Sequence, residues 1–257
     1  MTEFRADNLT VRVFPDKHRL GAAAAGLASS ILERLIRENG AARILVSTGN
    51  SQLEMIAGLI QHSEIDWRFV EMFHIDEYAA LPPTHPASFR YWVKSRLADH
   101  VQPGKVHYLA GDAANLDQEC RRYAALLAAK PIDLAFIGIG ENGHIGFNDP
   151  HEADFADPLS VRRVSRDEKC RLQQVGEGHF PDLGAVPAAA VTLTCPALMS
   201  AREIISCVPD FRKAEAVKNA LRGPIAPSCP ASILRRHPRA SLYLDTASAS
   251  LLESATG

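Results

Sequence analysis

Residues 132–150, IDLAFIGIGENGHIGFNDP, constrain the fold more than any other stretch of the chain. The apolar run of Ile132, Leu134, Ala135, Phe136 and Ile137 has the length of a strand buried on both faces, as in a parallel sheet. It empties into a loop with glycines at 138, 140, 143 and 146, where the backbone can take positive φ and lie close to a ligand. That loop carries His144 and, five residues on, Asp149. In open α/β sheets ligands sit beyond the carboxyl ends of the strands, so this pairing marks a site. A lone histidine in such a loop is more often only solvated. The rest of the chain shifts that balance.

The same alternation recurs along the chain. Residues 9–14 read as a short strand, 17–38 as an alanine- and leucine-rich helix stopped by Asn39-Gly40, and 43–47 as a second strand. The second strand runs into Thr48, Gly49, Asn50 and Ser51 and then a helix, a geometry that leaves the first helical amides free for an anion. The competing reading is a helix capped by Ser51. No lysine follows the glycine, so this is not a Walker loop. Residues 69–75 form a third strand and deliver Asp76-Glu77-Tyr78 to the same rim. A helix starts near Pro86, a short strand covers 107–109 and a helix covers 116–129. Residues 151–187 are polar and irregular, resembling a lid. Regular structure resumes at 190–193, 203–208, 211–221 and 241–244. The expectation is one α/β domain over 1–257, with a Rossmann-like, mostly parallel sheet and helices on both faces.

Composition narrows the function classes. At 257 residues the chain is ample for a core, and a net charge of −2 offers no electrostatic case for nucleic acid or an anionic membrane. Five scattered cysteines without a CxxC pair argue against a disulfide framework or a zinc site, and for a reducing cytoplasm. No apolar run approaches the roughly 20 residues that span a bilayer. The three strand ends bring together an acidic pair, a histidine loop and an anion-binding turn, with no metal-ligand cluster. That set suits proton transfer on a phosphorylated metabolite. His144 would hold a proton near neutral pH, Asp149 would orient it and raise its pKa, and Asp76 would be a separate base.

The blocks TGNS, FHIDEYAALPPTHPASFRYW, IGIGENGHIGFNDP, VPAAAVTLTCPALMSAREI, FRKAEAVKNALRGPI and CPASILRRHP, in that order from about residue 43 to 245, resemble the glucosamine-6-phosphate deaminase (isomerase) family, itself related to 6-phosphogluconolactonase. The resemblance implies conversion of glucosamine 6-phosphate to fructose 6-phosphate and ammonia without a cofactor. It implies that Asp76 moves the proton, that His144 opens the ring, and that Asp149 stands where the family usually has glutamate. Asn142 falls where some members carry an aspartate flanking the histidine. Thr48, Gly49, Asn50 and Ser51 match the phosphate turn, and Lys213 matches the lysine that pairs with the phosphate.

Two departures stand out. The family's arginine before the aromatic that ends the excursion is missing, since Gly178 and His179 precede Phe180; Arg171 or Arg162 would have to replace it. Glu152, Asp154 and Asp157 occupy the stretch where regulated members bind an N-acetylglucosamine 6-phosphate activator, so no such regulation is expected. Three rivals remain. A galactosamine 6-phosphate isomerase differs only in epimer choice, and a lactonase has no use for a base at C2. A sugar-phosphate sensor would need a DNA-binding domain ahead of a first strand that is expected to begin at residue 9. A small-molecule sugar phosphate is the expected partner, and homo-oligomerisation is open.

Overall fold

Strand β1 (Thr2–Ala6) turns back antiparallel onto β2 (Leu9–Phe14), so the sheet begins earlier than residue 9. The computed structural model describes residues 1–252. Helix α1 (Lys17–Asn39) starts at Asp16, whose carboxylate accepts from Arg19 N–H, and ends at Gly40 with φ 74°, as a helix stop requires. Strand β3 (Ala42–Val46), helix α2 (Leu53–Ile60) and strand β4 (Val70–His74) follow. A three-residue strand β5 (Asp76–Tyr78) then leaves the main sheet. Helix α3 (Phe89–Val93) runs through a π-helical turn (Lys94–Ala98) into α4 (Asp99–Val101). Strand β6 (Lys105–His107) lies slightly ahead of its expected place, and α5 (Leu116–Ala128) leads to β7 (Leu134–Ile137).

The segment 151–187 is not irregular. It holds strand β8 (Val161–Ser165) and helix α6 (Glu168–Gly176). The chain continues with β9 (Ala189–Leu193), α7 (Cys195–Met199), β10 (Glu203–Val208), α8 (Ala214–Arg222) and β11 (Ala240–Asp245).

The main sheet has the order β1-β2-β11-β10-β7-β3-β4-β6, with every neighbouring pair parallel except β1 with β2. Its strands are apolar on both sides because helices cover both faces. In β3, Ile44 and Val46 face the layer built by α1 and α2, whereas Leu45 faces the layer that holds Tyr123 of α5 and Val217 of α8. A second sheet, β5-β9-β8, is antiparallel and closes over a smaller core of Tyr78, Leu81, Phe147, Val164 and Phe180. All five cysteines are buried free thiols. No helix among the described residues is long and apolar enough to cross a membrane.

Candidate active site

Strands β3 and β7 are neighbours, but the chain winds from β3 toward β4 and β6, and from β7 the opposite way toward β10 and β11. The loops leaving their carboxyl ends therefore diverge and open a crevice, the usual ligand position in such sheets. That crevice is lined by the turn at residues 48–51, Asp76, His144 and Lys213, and α6 adds Gln173, Gln174 and its C-cap residue Glu177.

Asp76 and Glu77 separate because successive residues of a strand face opposite ways. In β5, paired with β9 through Asp76 and Thr192, Asp76 faces the cleft. Glu77 turns into the body of the protein, where it accepts hydrogen bonds from Ser88 Oγ (2.7 Å) and from the amides of Phe89 (3.1 Å) and Arg90 (2.8 Å). Glu77 thus caps the start of α3, and the acidic pair divides into one structural carboxylate and one free one. Asp76 is 5 % exposed, and its Oδ1 has no hydrogen-bond partner among the described residues. Burial pushes its pKa up to about 7, although Arg166 and His144 pull the other way. A carboxyl poised there can both take and return a proton at neutral pH.

The His144 ring lies over Gly140, where any Cβ would fall 2.0 Å from its Cε1. This position needs glycine for contact rather than for φ. His144 Nδ1 lies 2.7 Å from Asn142 Oδ1, 3.1 Å from Asp149 Oδ1 and 3.4 Å from Cys170 Sγ. With three partners gathered on Nδ1, Nε2 is the nitrogen left for a ligand. Burial disfavours the imidazolium, but the Cys170 sulfur and the Asp149 carboxylate outweigh it and hold the pKa above the ordinary imidazole range. Asp149 is fully buried. Burial would raise its pKa, yet His144, Arg166 and Asn142 together hold it well below the usual carboxylate range. Asn142 is the clamp between these groups, because its Nδ2 donates to Asp149 Oδ1 (3.0 Å) and Asp167 Oδ2 (2.8 Å) while its Oδ1 faces the histidine.

At the other end, Gly49 takes φ 98°, which favours glycine, and the chain enters a single 3₁₀ turn (Asn50–Gln52) ahead of α2. Neither the turn nor α2 has a side-chain cap, so Ser51 is not the N-cap and the first amides remain open to an anion. Ser47 Oγ, buried on the same wall, has no partner among the described residues. Lys213 ends the 3₁₀ turn (Phe211–Lys213) before α8 and is 4 % exposed. Burial lowers its pKa, and Glu177 and Glu141 partly offset this. Among the described residues no carboxylate lies within 4.0 Å of its ammonium, so the charge is available to a ligand.

Arg171 and Arg162 do not reach this cleft. Arg171 donates to the carbonyls of Leu183 (2.6 Å) and Val186 (3.0 Å), tying the following loop to α6. Arg162 is ion-paired with Glu152 (3.2 Å) and Asp157 (2.9 Å). Two of the three acidic residues of this stretch therefore neutralise an arginine within their own segment.

Sequence reasoning missed Arg166, Cys170, Gln173, Gln174 and Glu177. Their helix carried a readable signal. Asp167 caps α6 by accepting from Cys170 N–H (2.6 Å), and the end is a Schellman turn at Gly178 (φ 78°), with His179 N–H bonded to Gln174 O and Gly178 N–H to Val175 O. The apolar stripe of an ordinary surface helix is missing, because the inward face of α6 serves a polar cleft.

Arg166 is wholly buried, with its guanidinium 3.4 Å over the Phe147 ring, 3.5 Å from Asp149 Oδ2 and 2.5 Å from Cys170 Sγ. The ligating atoms of His144, Asp149 and Cys170 lie within 4.8 Å of one another, close enough to chelate a metal. Arg166 already places a positive charge against two of those three. The same charge holds Asp76 down, so its removal should raise the Asp76 pKa above about 7. Activity that needs ionised Asp76 should then lose its acid limb at higher pH in Arg166→Met, with Arg166→Lys restoring most of the shift. An unmoved limb in a folded Arg166→Met variant would show that this charge does not reach Asp76. Taking one of its two cationic partners from buried Asp149 should also cost stability, by less than the ~3–5 kcal/mol of an uncompensated buried charge because His144 remains.

Comparison with known proteins agrees with this fold. A family profile described as glucosamine-6-phosphate isomerases/6-phosphogluconolactonase matches residues 15–243. The glucosamine-6-phosphate deaminase of Bacillus cytotoxicus is 35% identical over 226 residues, covering 88% of this chain and 84% of that one. The enzyme of the same name from Bacillus thuringiensis is 32% identical over 225 residues, with the same coverage. Among solved structures, a monomeric glucosamine-6-phosphate deaminase superposes with a TM-score of 0.85 at 28% identity, covering 94% of this chain and 99% of that one. The 6-phosphogluconolactonase of Shewanella baltica shares the fold, with a TM-score of 0.76 at 18% identity over 94% of this chain and 99% of that one. A crevice at the reversal of a parallel sheet, holding a free buried carboxyl opposite a carboxylate-clamped histidine, is thus found in a chain that belongs to the glucosamine-6-phosphate isomerase/6-phosphogluconolactonase family.

Proposed function

We propose that this protein isomerises and deaminates an amino-sugar phosphate, converting glucosamine 6-phosphate and water to fructose 6-phosphate and ammonia. The observation that carries the reading is Asp76, a buried carboxyl with a pKa near 7 and an oxygen without a protein partner, facing the cleft that His144 also lines. His144 Nε2 moves the proton that opens the sugar ring, with Asp149 and Asn142 fixing the ring's orientation. Asp76 takes the proton from C2 of the open aldehyde, forming an enolamine, and returns it to C1. The imine left at C2 adds water and releases ammonia, so atoms balance without a redox step. The turn at 48–51 and Lys213 hold the 6-phosphate.

A lactonase would use His144 to activate water and leave Asp76 idle, and a free buried carboxyl is costly to keep for nothing. The galacto epimer is the nearer alternative. Five unpaired thiols support a reducing cytoplasm, where phosphorylated sugars are found. Ammonia release should be measured across glucosamine 6-phosphate, galactosamine 6-phosphate and their unphosphorylated forms, alongside hydrolysis of 6-phosphogluconolactone. The gluco phosphate should be the best substrate. Lactone hydrolysis without any ammonia release would overturn the assignment.

A further inference from the structure

We propose that Gln174 reads a sugar hydroxyl at C3 or C4, with its side-chain amide held in the donating orientation by Tyr78. The inference rests on the reading that the cleft binds a sugar phosphate.

Helix α6 runs along the cleft from one functional end to the other. Near its start, Cys170 Sγ lies 3.4 Å from His144 Nδ1. Near its end, Glu177 lines the cleft and acts on the Lys213 charge. Gln174 is four residues after Cys170 and three before Glu177, so it shares their helix face and sits midway between them. If His144 and Asp76 take the C1–C2 end and Lys213 takes the phosphate, the oxygens between them are those on C3 and C4.

The amide has one side committed. Tyr78 Oη donates to Gln174 Oε1 at 2.9 Å. Tyr78 is wholly buried, with its ring held between Phe89, Phe147 and Phe180 at centroid distances of 5.0, 5.2 and 5.4 Å. Burial keeps its phenol far above the ordinary range, so it remains a donor. The Gln174 carbonyl oxygen therefore faces Tyr78, and Nε2, with two N–H groups, is left without an acceptor among the described residues. Gln174 is only 7 % exposed yet lines the cleft, so its free N–H groups are open to an acceptor that enters there.

Its neighbours differ in this respect. Gln173 accepts from Glu141 N–H (3.1 Å) and donates to Glu177 Oε1 (2.7 Å), and Glu177 also pairs with His179 (3.3 Å). Those side chains satisfy one another. Gln174 alone presents an unmatched donor, and a donor selects an oxygen acceptor rather than an ammonium.

Calorimetric binding of glucose 6-phosphate and its 3-deoxy and 4-deoxy analogues to wild type, Gln174→Leu and Tyr78→Phe tests this without turnover. In wild type, one deoxy analogue should bind about tenfold more weakly than the parent, the scale of one neutral hydrogen bond. Gln174→Leu should lose the same factor for the parent and become indifferent to that deletion. Tyr78→Phe, which frees the amide to rotate, should lose part of the discrimination. Equal losses for all three ligands in Gln174→Leu would reduce Gln174 to a packing role and overturn the proposal, as would a wild type indifferent to both deletions. Gln174→Glu, nearly isosteric but unable to donate when ionised, repeats the test if the leucine variant does not fold. A wild type that binds none of the three sugars would instead remove the sugar-phosphate reading, and this inference with it.

Discussion

Replacing Asp76 by asparagine is expected to abolish exchange of the C2 proton with solvent and to lower deamination by about 10²–10⁴, the usual contribution of a positioned general base. Binding should be largely retained. The amide is nearly isosteric, and Oδ1 has no protein partner to lose. Removing a carboxyl that burial holds at a pKa near 7 also relieves the cost of ionising it inside the protein. In the fold this group is protonated across the window from its unfolded value of 3.8 to about 7, so stability falls as pH rises through that window. Asp76→Asn should therefore gain stability over wild type above pH 7 while losing its chemistry. Deamination near the wild-type rate would take Asp76 out of the mechanism.

Lys213→Ala should weaken phosphorylated substrates by more than the roughly 1.5–3 kcal/mol of one charge-assisted hydrogen bond, that is by more than about 10–100-fold in KM, and spare an unphosphorylated analogue. The large effect follows from the absence of help. Arg171 and Arg162 are engaged by backbone carbonyls and by Glu152 and Asp157, respectively, and the other binding groups are amides of the turn at 48–51 and hydroxyls. Lysine offers a compact charge without the arginine fork, so its loss leaves only neutral donors facing a dianion. Comparing KM for phosphorylated and free sugars separates this from misfolding. Equal losses for both would place Lys213 elsewhere than at the phosphate.

The sheet and its rim were legible because their signals are short-range. The apolar run of β7 followed by glycines, the small polar turn after β3 and the DEY segment after β4 each occupy a few consecutive residues. Strand β1 was missed because Thr2, Glu3 and Arg5 carry little apolar pattern in an exposed edge strand. Helix α6 was missed for a related reason: it buries polar side chains against a cleft, so its periodicity was not hydrophobic although its cap and its stop were in place.

By itself, then, the sequence determined a parallel α/β sheet and the placing of Asp76, His144, Asp149 and the turn at 48–51 on one rim, since hydrophobic periodicity and glycine spacing specify which segments are buried strands and where they end. Only the tertiary structure decided which polar groups meet. It sent Glu77 inward to cap α3 and left Asp76 free, gave Arg166 to Asp149 and Cys170, and turned Arg171 and Arg162 away from the cleft. It also put Gln174, held by Tyr78, on the wall of the cleft that His144 and Lys213 line. Those pairings follow no periodic spacing, and a buried charge or amide is satisfied by whichever partner packing brings within reach, which no local pattern records.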